Sequence, residues 1–478
     1  MEINHWLPLY PEITMLLSIG FILMTTLYLP PRLQWLNYRF AQTALIVVAS
    51  FSFNLMSLKP NYLLNGLFVI DPMACFLKCC VCLLGCIVFF YARKTFIIKD
   101  TFKSEYFILC LFSILGMMLV ISASHFLSLY LGLELMVLPL YALISLDREA
   151  RSTEAALKYF LLGVLSSAFL LYGISLLYGI TGHLNLESLM QALSLDLIHK
   201  PALVGSLVFI LAAVLFKLGV VPFHLWLPDI YEGSATPVTL FLGTLPKIAA
   251  FAFAIRLFNG LLPHLEQLQN ILILVGLLCL LLGHLGAITQ SNLKRMLAYS
   301  AIAQMGFVVL AFMLGLTQGF AIALYYLLIY VLAVLAFLGA LSLLGDDSVE
   351  ADQLESLEGL GHTHPWFGGV MIIILLSLIG IPPFAGFYAK LLVIKTLIST
   401  GFLSVAVLAL VLTVVGAFYY LRIINLMFFN TRTLAVPRTF SVTQIGLFSL
   451  NGLALLLLGI FPAPLLSLCN SLIFYSFR

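Results

Sequence analysis

The sequence predicts an all-α polytopic membrane protein of about 14 transmembrane helices. Three observations carry that expectation. First, 63% of the 478 residues are hydrophobic, only 9% are charged, and mean hydropathy is +1.13. A soluble domain is about 45–50% apolar and about 25% charged, so the 23 basic and 20 acidic side chains cannot cover the surface of a chain this long in water. Second, the apolar residues form continuous runs rather than alternating ones, which argues for helices against a barrel. Third, lysine and arginine gather in every second connection. The same composition excludes disorder, collagen and coiled coil. It also excludes nucleic-acid binding, since a net charge of +3 offers no concentrated basic face.

Runs of spanning length, about 20 residues each, fall at 8–29, 37–57, 68–92, 104–122, 124–146, 155–180, 202–227, 236–258, 268–289, 296–316, 319–344, 366–388, 402–427 and 442–468. Met1–Pro11 contains an acid and no Lys or Arg, so no cleavable signal is expected and the first helix inserts directly. Five of the 8 cysteines fall in the third run, with Cys75, Cys79, Cys82 and Cys86 on one helical face and Cys80 beside them. One straight helix cannot wrap four sulfurs around a metal. Small residues that allow close helix packing are the simpler reading, and no metal site is expected. Two connections, Ser122–His125 and Gly315–Gly319, are tight.

Odd-numbered connections hold Arg32, Arg39, Arg93, Lys94, Lys99, Lys103, Arg148, Arg151, Lys158, Lys294, Arg295, Arg432 and Arg438. Even-numbered ones hold little beyond Lys59, Lys200, Arg256 and Lys395. The positive-inside rule places the odd connections in the cytoplasm and both termini on the other side. The eleventh connection, Gly345–His362, carries six acids (Asp346, Asp347, Glu350, Asp352, Glu355 and Glu358) and no Lys or Arg. It is either a solvated loop or a docking surface for another subunit.

Four charges remain inside apolar runs: Glu134, Lys217, Lys247 and Lys390. A charge at the centre of a bilayer costs at least about 2.5–3.5 kcal/mol, so such residues are expected to be functional and to face other helices or water. Lys78 and Arg422 are nearer the ends of their runs and are expected to snorkel. Snorkelling is an alternative for Lys247 and Lys390, and a static buried ion pair for Glu134 and Lys217. His224 and His284 are either further relay groups or hydrogen-bonded packing residues.

Two runs read as broken helices. In the seventh, Pro222 and Pro228 bracket Phe223–Leu227; in the twelfth, Gly380, Pro382, Pro383 and Gly386 precede Lys390. Proline removes a donor and frees a carbonyl that lipid cannot satisfy. Paired interruptions point to an inverted-repeat core. The expected organisation is N-terminal helices over 1–103, a first five-helix repeat over 104–258, a second over 268–427, and a C-terminal helix over 442–478. The charges suggest a relay: moving or protonating Glu134 would let Lys217 release its proton by water to Lys247 and then Lys390. The tenth run offers Gln304 where a second carboxylate would be needed, and a glutamine cannot titrate.

Three stretches carry a family resemblance: FKLGVVPFHLWLPDIYEGSATPV (216–238), TQSNLKRMLAYSAIAQMGF (289–307) and LSLIGIPPFAGFYAK (376–390). They resemble the antiporter-like subunits of respiratory complex I and of multisubunit cation/proton antiporters. The 14-helix length, the LPLYPEI start and a lysine at 390 resemble the subunit N branch of bacterial NADH–quinone oxidoreductases. By this resemblance Glu134, Lys217, Lys247 and Lys390 match the family's relay glutamate and lysines, and His224 matches the histidine of its PFHxWxPD motif.

The resemblance implies redox-driven proton pumping in the bacterial inner membrane, with other membrane subunits of complex I as partners. NAD, FMN, iron–sulfur clusters and quinone would sit on partner subunits and no cofactor on this chain. The sequence is consistent with that, having no dinucleotide fingerprint and no cluster-type cysteine pattern. A cation/proton antiporter subunit of the same fold is the alternative. A membrane scaffold with vestigial charges is a third reading.

Overall fold

A computed structural model describes residues 7–30, 33–56, 60–98, 104–193, 200–261, 266–315, 317–345, 350–430 and 440–477. The chain runs α1 (Tyr10–Tyr28), α2 (Trp35–Leu55), a hairpin of β1 (Asn61–Leu63) and β2 (Phe68–Ile70), α3 (Pro72–Ile98), α4 (Ser104–Ser122), α5 (Phe126–Ile144), α6 (Ala150–Thr181) and α7 (Leu186–Leu193). The middle third holds α8 (Lys200–Leu218), α9 (Trp226–Gly233), α10 (Thr236–Leu261), α11 (Glu266–Ile288), α12 (Leu293–Phe312) and α13 (Thr317–Leu344). The last third holds α14 (Leu360–Thr363), α15 (Pro365–Ile379), α16 (Ala385–Ser399), α17 (Leu403–Phe429), α18 (Val442–Ile460) and α19 (Ala463–Ser476).

Among the described residues, 12 helices are long and apolar enough to cross a membrane. The two remaining predicted crossings are α2, which is less apolar, and the interrupted pair α15–α16. Helices α10, α12 and α13 are buried on nearly every side, whereas α1, α6, α17 and α18 leave most of their surface outside the bundle. A helix apolar all round shows no stripe, so its own pattern does not say whether protein or lipid surrounds it. Small residues decide the close approaches. A Cβ on Gly116 of α4 would fall 2.3 Å from the Met136 backbone nitrogen of α5, so only glycine permits that crossing.

Several expectations are corrected. Residues 68–70 begin the third run but form β2, paired with β1 as Leu63↔Phe68 and Asn61↔Ile70. Leu64 and Asn65 take φ of 51° and 55°, the geometry of a type I′ turn. The last run divides at Phe461-Pro462 into α18 and α19, because a residue before proline leaves the helical region. Pro228 does not mark a break. It lies in the first turn of α9, where its missing N–H would have no partner anyway. Lys78 does not snorkel: it is buried and paired with Glu12 of α1. Lys247 and Lys390 are buried as well. The described cysteines are free thiols.

One end of the bundle is tied by charge. Lys158 binds Asp229 at 2.9 Å; Arg295 binds Asp229 and Glu232, both at 2.8 Å; Arg151 binds Glu232 at 2.6 Å. Glu350 and Asp352 of the acidic stretch bind Lys294 at 2.6 Å and Asn292 at 2.7 Å. Glu358 accepts from Asn430. Among its described acids, Glu350, Asp352 and Glu358 are therefore tied to the chain itself, while Glu355 is exposed. The segments beside the fifth, seventh, ninth and eleventh connections meet at this end. Burial would raise the Glu350 carboxyl, but the Lys294 charge and hydrogen bonds from Lys294 and Thr236 outweigh it and hold it below the usual carboxylate range. The carboxylate thus stays ionised at neutral pH, and its contribution to stability is lost only as pH falls below that range. Of the residues used for orientation, Arg32, Lys59, Lys99, Lys103, Arg432 and Arg438 lie outside the described residues. So do Asp346, Asp347 and the side chains of Lys94 and Lys200.

Candidate functional site

The two interrupted helices are built alike. α8 ends at Gly219, whose φ is +72°; Val220 N–H returns to Leu215 O at 3.0 Å and Gly219 N–H to Phe216 O at 3.0 Å. α15 ends at Gly380, whose φ is +87°; Ile381 N–H returns to Leu376 O at 3.1 Å and Gly380 N–H to Ser377 O at 3.1 Å. Both are Schellman closures, which need a left-handed residue and so select glycine. The register that aligns Gly219 with Gly380 also aligns Lys217 with Leu378. Lys390, from the far side of its break, reaches back to donate to Leu378 O at 3.0 Å and Ile379 O at 2.8 Å. Each broken helix thus ends its first piece beside an ammonium group, where unpaired carbonyls and the helix dipole favour a cation.

Glu134 is half-buried on α5 and accepts a hydrogen bond from Ser167 Oγ of α6 at 2.5 Å. Lys217 stands in the last turn of α8. The lysine is buried, and its Nζ has no hydrogen-bond partner among the described residues. The two therefore do not form the contact ion pair of the static reading. Lys247 is buried on α10 and donates to Tyr330 Oη of α13 at 3.0 Å, over the same ring at 4.8 Å from its centroid.

A third cluster joins Lys247 to Lys390. Tyr326, one turn from Tyr330, donates to Gln304 Oε1. Gln304 Nε2 donates to Leu378 O at 3.2 Å, the carbonyl that Lys390 also uses. Tyr330, Tyr326, Gln304 and Lys390 line one small cavity of about 10 Å³. A polar space of this size is at the threshold for one water molecule, which needs roughly 10–15 Å³.

Of the five residues expected to form the site, Lys247 and Lys390 are joined through Tyr330 and the small cavity, whereas Glu134 and Lys217 make no direct contact. His224 is not joined to either. It lies half-buried in the turn between α8 and α9, and its Nδ1 has no hydrogen-bond partner among the described residues. His284 is buried with Nδ1 3.4 Å from Tyr419 Oη. Sequence reasoning missed Ser167, Tyr326 and Tyr330. The two tyrosines stand four apart in an aliphatic run, a signal for one polar helix face. It also discounted Gln304, which cannot titrate but orders the cavity. Among the described residues no group of three or more His, Cys, Asp or Glu could hold a metal.

Residues 123–461 match the family described as NADH:quinone oxidoreductase/Mrp antiporter, TM. The NADH-quinone oxidoreductase subunit N of Thiobacillus denitrificans is 42% identical over 100% of this chain and 99% of its own length. A chain of the respiratory complex I from Thermus thermophilus, solved with bound aureothin, superposes with a TM-score of 0.82 at 32% identity, covering 96% of this chain and 98% of that one. A chain of the Mrp complex from Dietzia superposes with a TM-score of 0.84 at 21% identity, covering 100% and 98%, and shares the fold. With the two broken helices and the buried lysines in place, these similarities make the chain a member of the NADH:quinone oxidoreductase/Mrp antiporter transmembrane family, in the branch of the NADH-quinone oxidoreductase subunits N.

Proposed function

We propose that this chain is the proton-translocating membrane subunit of a bacterial NADH–quinone oxidoreductase, moving protons through Glu134, Lys217, Lys247 and Lys390. The observation that supports this most is the continuity of Lys247, Tyr330, the small cavity and Lys390. A proton on Lys247 has a hydroxyl at hydrogen-bond distance, and that tyrosine lines a water-sized space shared with Lys390. Glu134's charge attracts the Lys217 ammonium, and withdrawing that charge favours passing the proton on. The step is proton exchange between bases and water, with no bond-making on this chain. NADH oxidation, flavin and iron–sulfur electron transfer and quinone reduction belong to partner subunits in this reading. His224 stands at the hinge of the first broken helix as a secondary relay group. Two inverted five-helix repeats account for the matching closures at Gly219 and Gly380. Odd connections face the cytoplasm and both termini the opposite side.

A cation/proton antiporter role is not favoured. Three of the four charges are lysines, whose ammonium groups repel an alkali cation in a low-dielectric path.

Lys217→Ala and Glu134→Ala in the assembled complex test the relay. Each is expected to lower NADH-driven proton pumping in sealed vesicles by about 100-fold, the scale of losing a positioned acid–base group. Full pumping in both variants, with the complex intact, would sink it. Tyr330→Phe keeps the ring beneath Lys247 and removes only the hydroxyl. About a tenfold loss of pumping is expected, near the low end for a proton-transfer group, and full pumping would show that protons bypass this tyrosine.

A further inference from the structure

The first break carries a backbone donor that the second does not have. In the register that aligns Gly219 with Gly380, Val221 stands where Pro382 stands, and Pro222-Phe223 where Pro383-Phe384 stand. Proline has no N–H, so position 382 needs no acceptor. Val221 has one and is buried, and a buried amide must find a partner. It donates to Cys279 Sγ of α11 at 3.2 Å. Cys279 is itself fully buried.

The sulfur is held in place from behind. A Cβ on Gly306 of α12 would fall 2.8 Å from Gly276 O and 2.9 Å from Cys279 Cβ, so α11 and α12 cross at contact distance beside the cysteine. Gly306 stands two residues beyond Gln304, which lines the cavity at Lys390. The Val221 contact thus ties the first broken helix to the helix pair that supplies part of the second cavity. On its other side, Val221 follows directly on the closure made by the Gly219 and Val220 amides, one turn beyond Lys217. Lys390 is anchored by Leu378 O and Ile379 O, whereas Lys217 Nζ has no hydrogen-bond partner among the described residues. The place of the Lys217 ammonium is therefore set by the backbone that bears it and by packing.

We propose that Cys279 is a positioning residue for Lys217: its sulfur accepts the amide that the first break frees and so fixes the turn at the end of α8. The role rests on the relay proposed above, which gives Lys217 its use. Sulfur is a weak acceptor. Without it, however, the Val221 amide is a buried donor with nothing to bind, and the full cost of its desolvation is felt. The peptide then rotates or draws in water, and the end of α8 shifts with it. Transfer between positioned groups depends on distances at the ångström scale, so the shift is read in proton transfer before it is read in folding. No bond to the sulfur forms or breaks. The second break needs no such contact, because Pro382 has no amide proton and Lys390 binds the freed carbonyls itself.

The test measures protons pumped per NADH oxidised by the assembled complex in sealed vesicles. Cys279→Ala is expected to lower that ratio about tenfold, the scale of one buried hydrogen bond left unmade, with the amount of assembled complex unchanged. Cys279→Ser keeps an acceptor at the same place and is expected to recover most of the loss. Val221→Pro removes the donor and copies the second break; alone it is expected to pump near the parent ratio. Combined with Cys279→Ala it is expected to recover most of what the alanine variant loses, because no amide is then orphaned. A cysteine that only fills space predicts a loss that persists in the double variant. Parent-level pumping in Cys279→Ala would overturn the positioning role, and so would equal losses in the alanine and serine variants. A double variant no better than Cys279→Ala, with Val221→Pro alone pumping normally, would overturn it too. Should Val221→Pro fail to assemble, the comparison of alanine with serine decides. Lys217→Ala separates the two readings. If it abolishes pumping while Cys279→Ala does nothing, the relay stands and the positioning role is wrong. If it pumps normally, the relay falls, and the positioning role with it.

Discussion

Replacing Lys247 with arginine is expected to lower NADH-driven proton pumping by about 100-fold, the scale of a positioned acid–base group. Electron flow from NADH to a water-soluble artificial acceptor should continue, because in the proposed function that chemistry belongs to partner subunits. Arginine keeps the positive charge but does not release its proton in a protein. The substitution therefore separates a lysine that hands on a proton from one that only balances charge. Lys247 has the geometry of the first kind. It is buried, and Tyr330, its hydrogen-bond partner among the described residues, lines the cavity shared with Lys390. Lys247→Met should give the same loss by removing the proton carrier outright. Pumping at the parent rate in the arginine variant would reduce Lys247 to a structural charge.

Replacing Arg256 with methionine is expected to destabilise the subunit by about 3–5 kcal/mol, the cost of leaving a buried charge without its partner. Arg256 is on α10 and pairs with Asp71 at 2.9 Å, with both side chains almost wholly out of solvent. Its Nε also donates to Ile121 O at the end of α4, at 3.0 Å. Asp71 meanwhile accepts from Ala74 N–H at 2.7 Å at the start of α3. One guanidinium thus joins α10 to the end of α4 and to the start of α3. The loss should appear as a lower unfolding temperature of the purified complex, or as poor assembly. Adding Asp71→Asn should recover part of it, since the orphaned charge is then removed. Equal stability of the single and double variants would show that the pair does not hold α10.

Much of the fold was legible because a bilayer constrains the chain so strongly. Fourteen apolar runs map onto described helices, and both breaks fall where glycine and proline cluster. The errors have local causes. β2 was hidden inside an apolar run because three residues carry no decisive period, although the turn before it contains Asn65-Gly66. Lys78 was misplaced because distance from a helix end does not show what faces a side chain. Here α1 brings Glu12 against it, a contact between residues far apart in the chain.

The site was legible in part. Glu134, Lys217, Lys247 and Lys390 stand out because a charge in an apolar run is costly and must have a use. Tyr330, Tyr326 and Ser167 did not, because a hydroxyl costs little in a membrane helix and tyrosines and serines occur throughout the chain. The sequence alone therefore determined the solvent, the number of crossings, the two breaks and the four charges inside apolar runs, since each follows from composition or from a local rule of the backbone. Only the tertiary structure decided which of those charges are neighbours. Lys390 crosses its own break to sit where Lys217 sits in the first half, and Tyr330 from a separate helix links Lys247 to it. Such contacts depend on how helices apolar on every side pack against one another, and a helix with no polar face leaves no trace of that choice in its sequence.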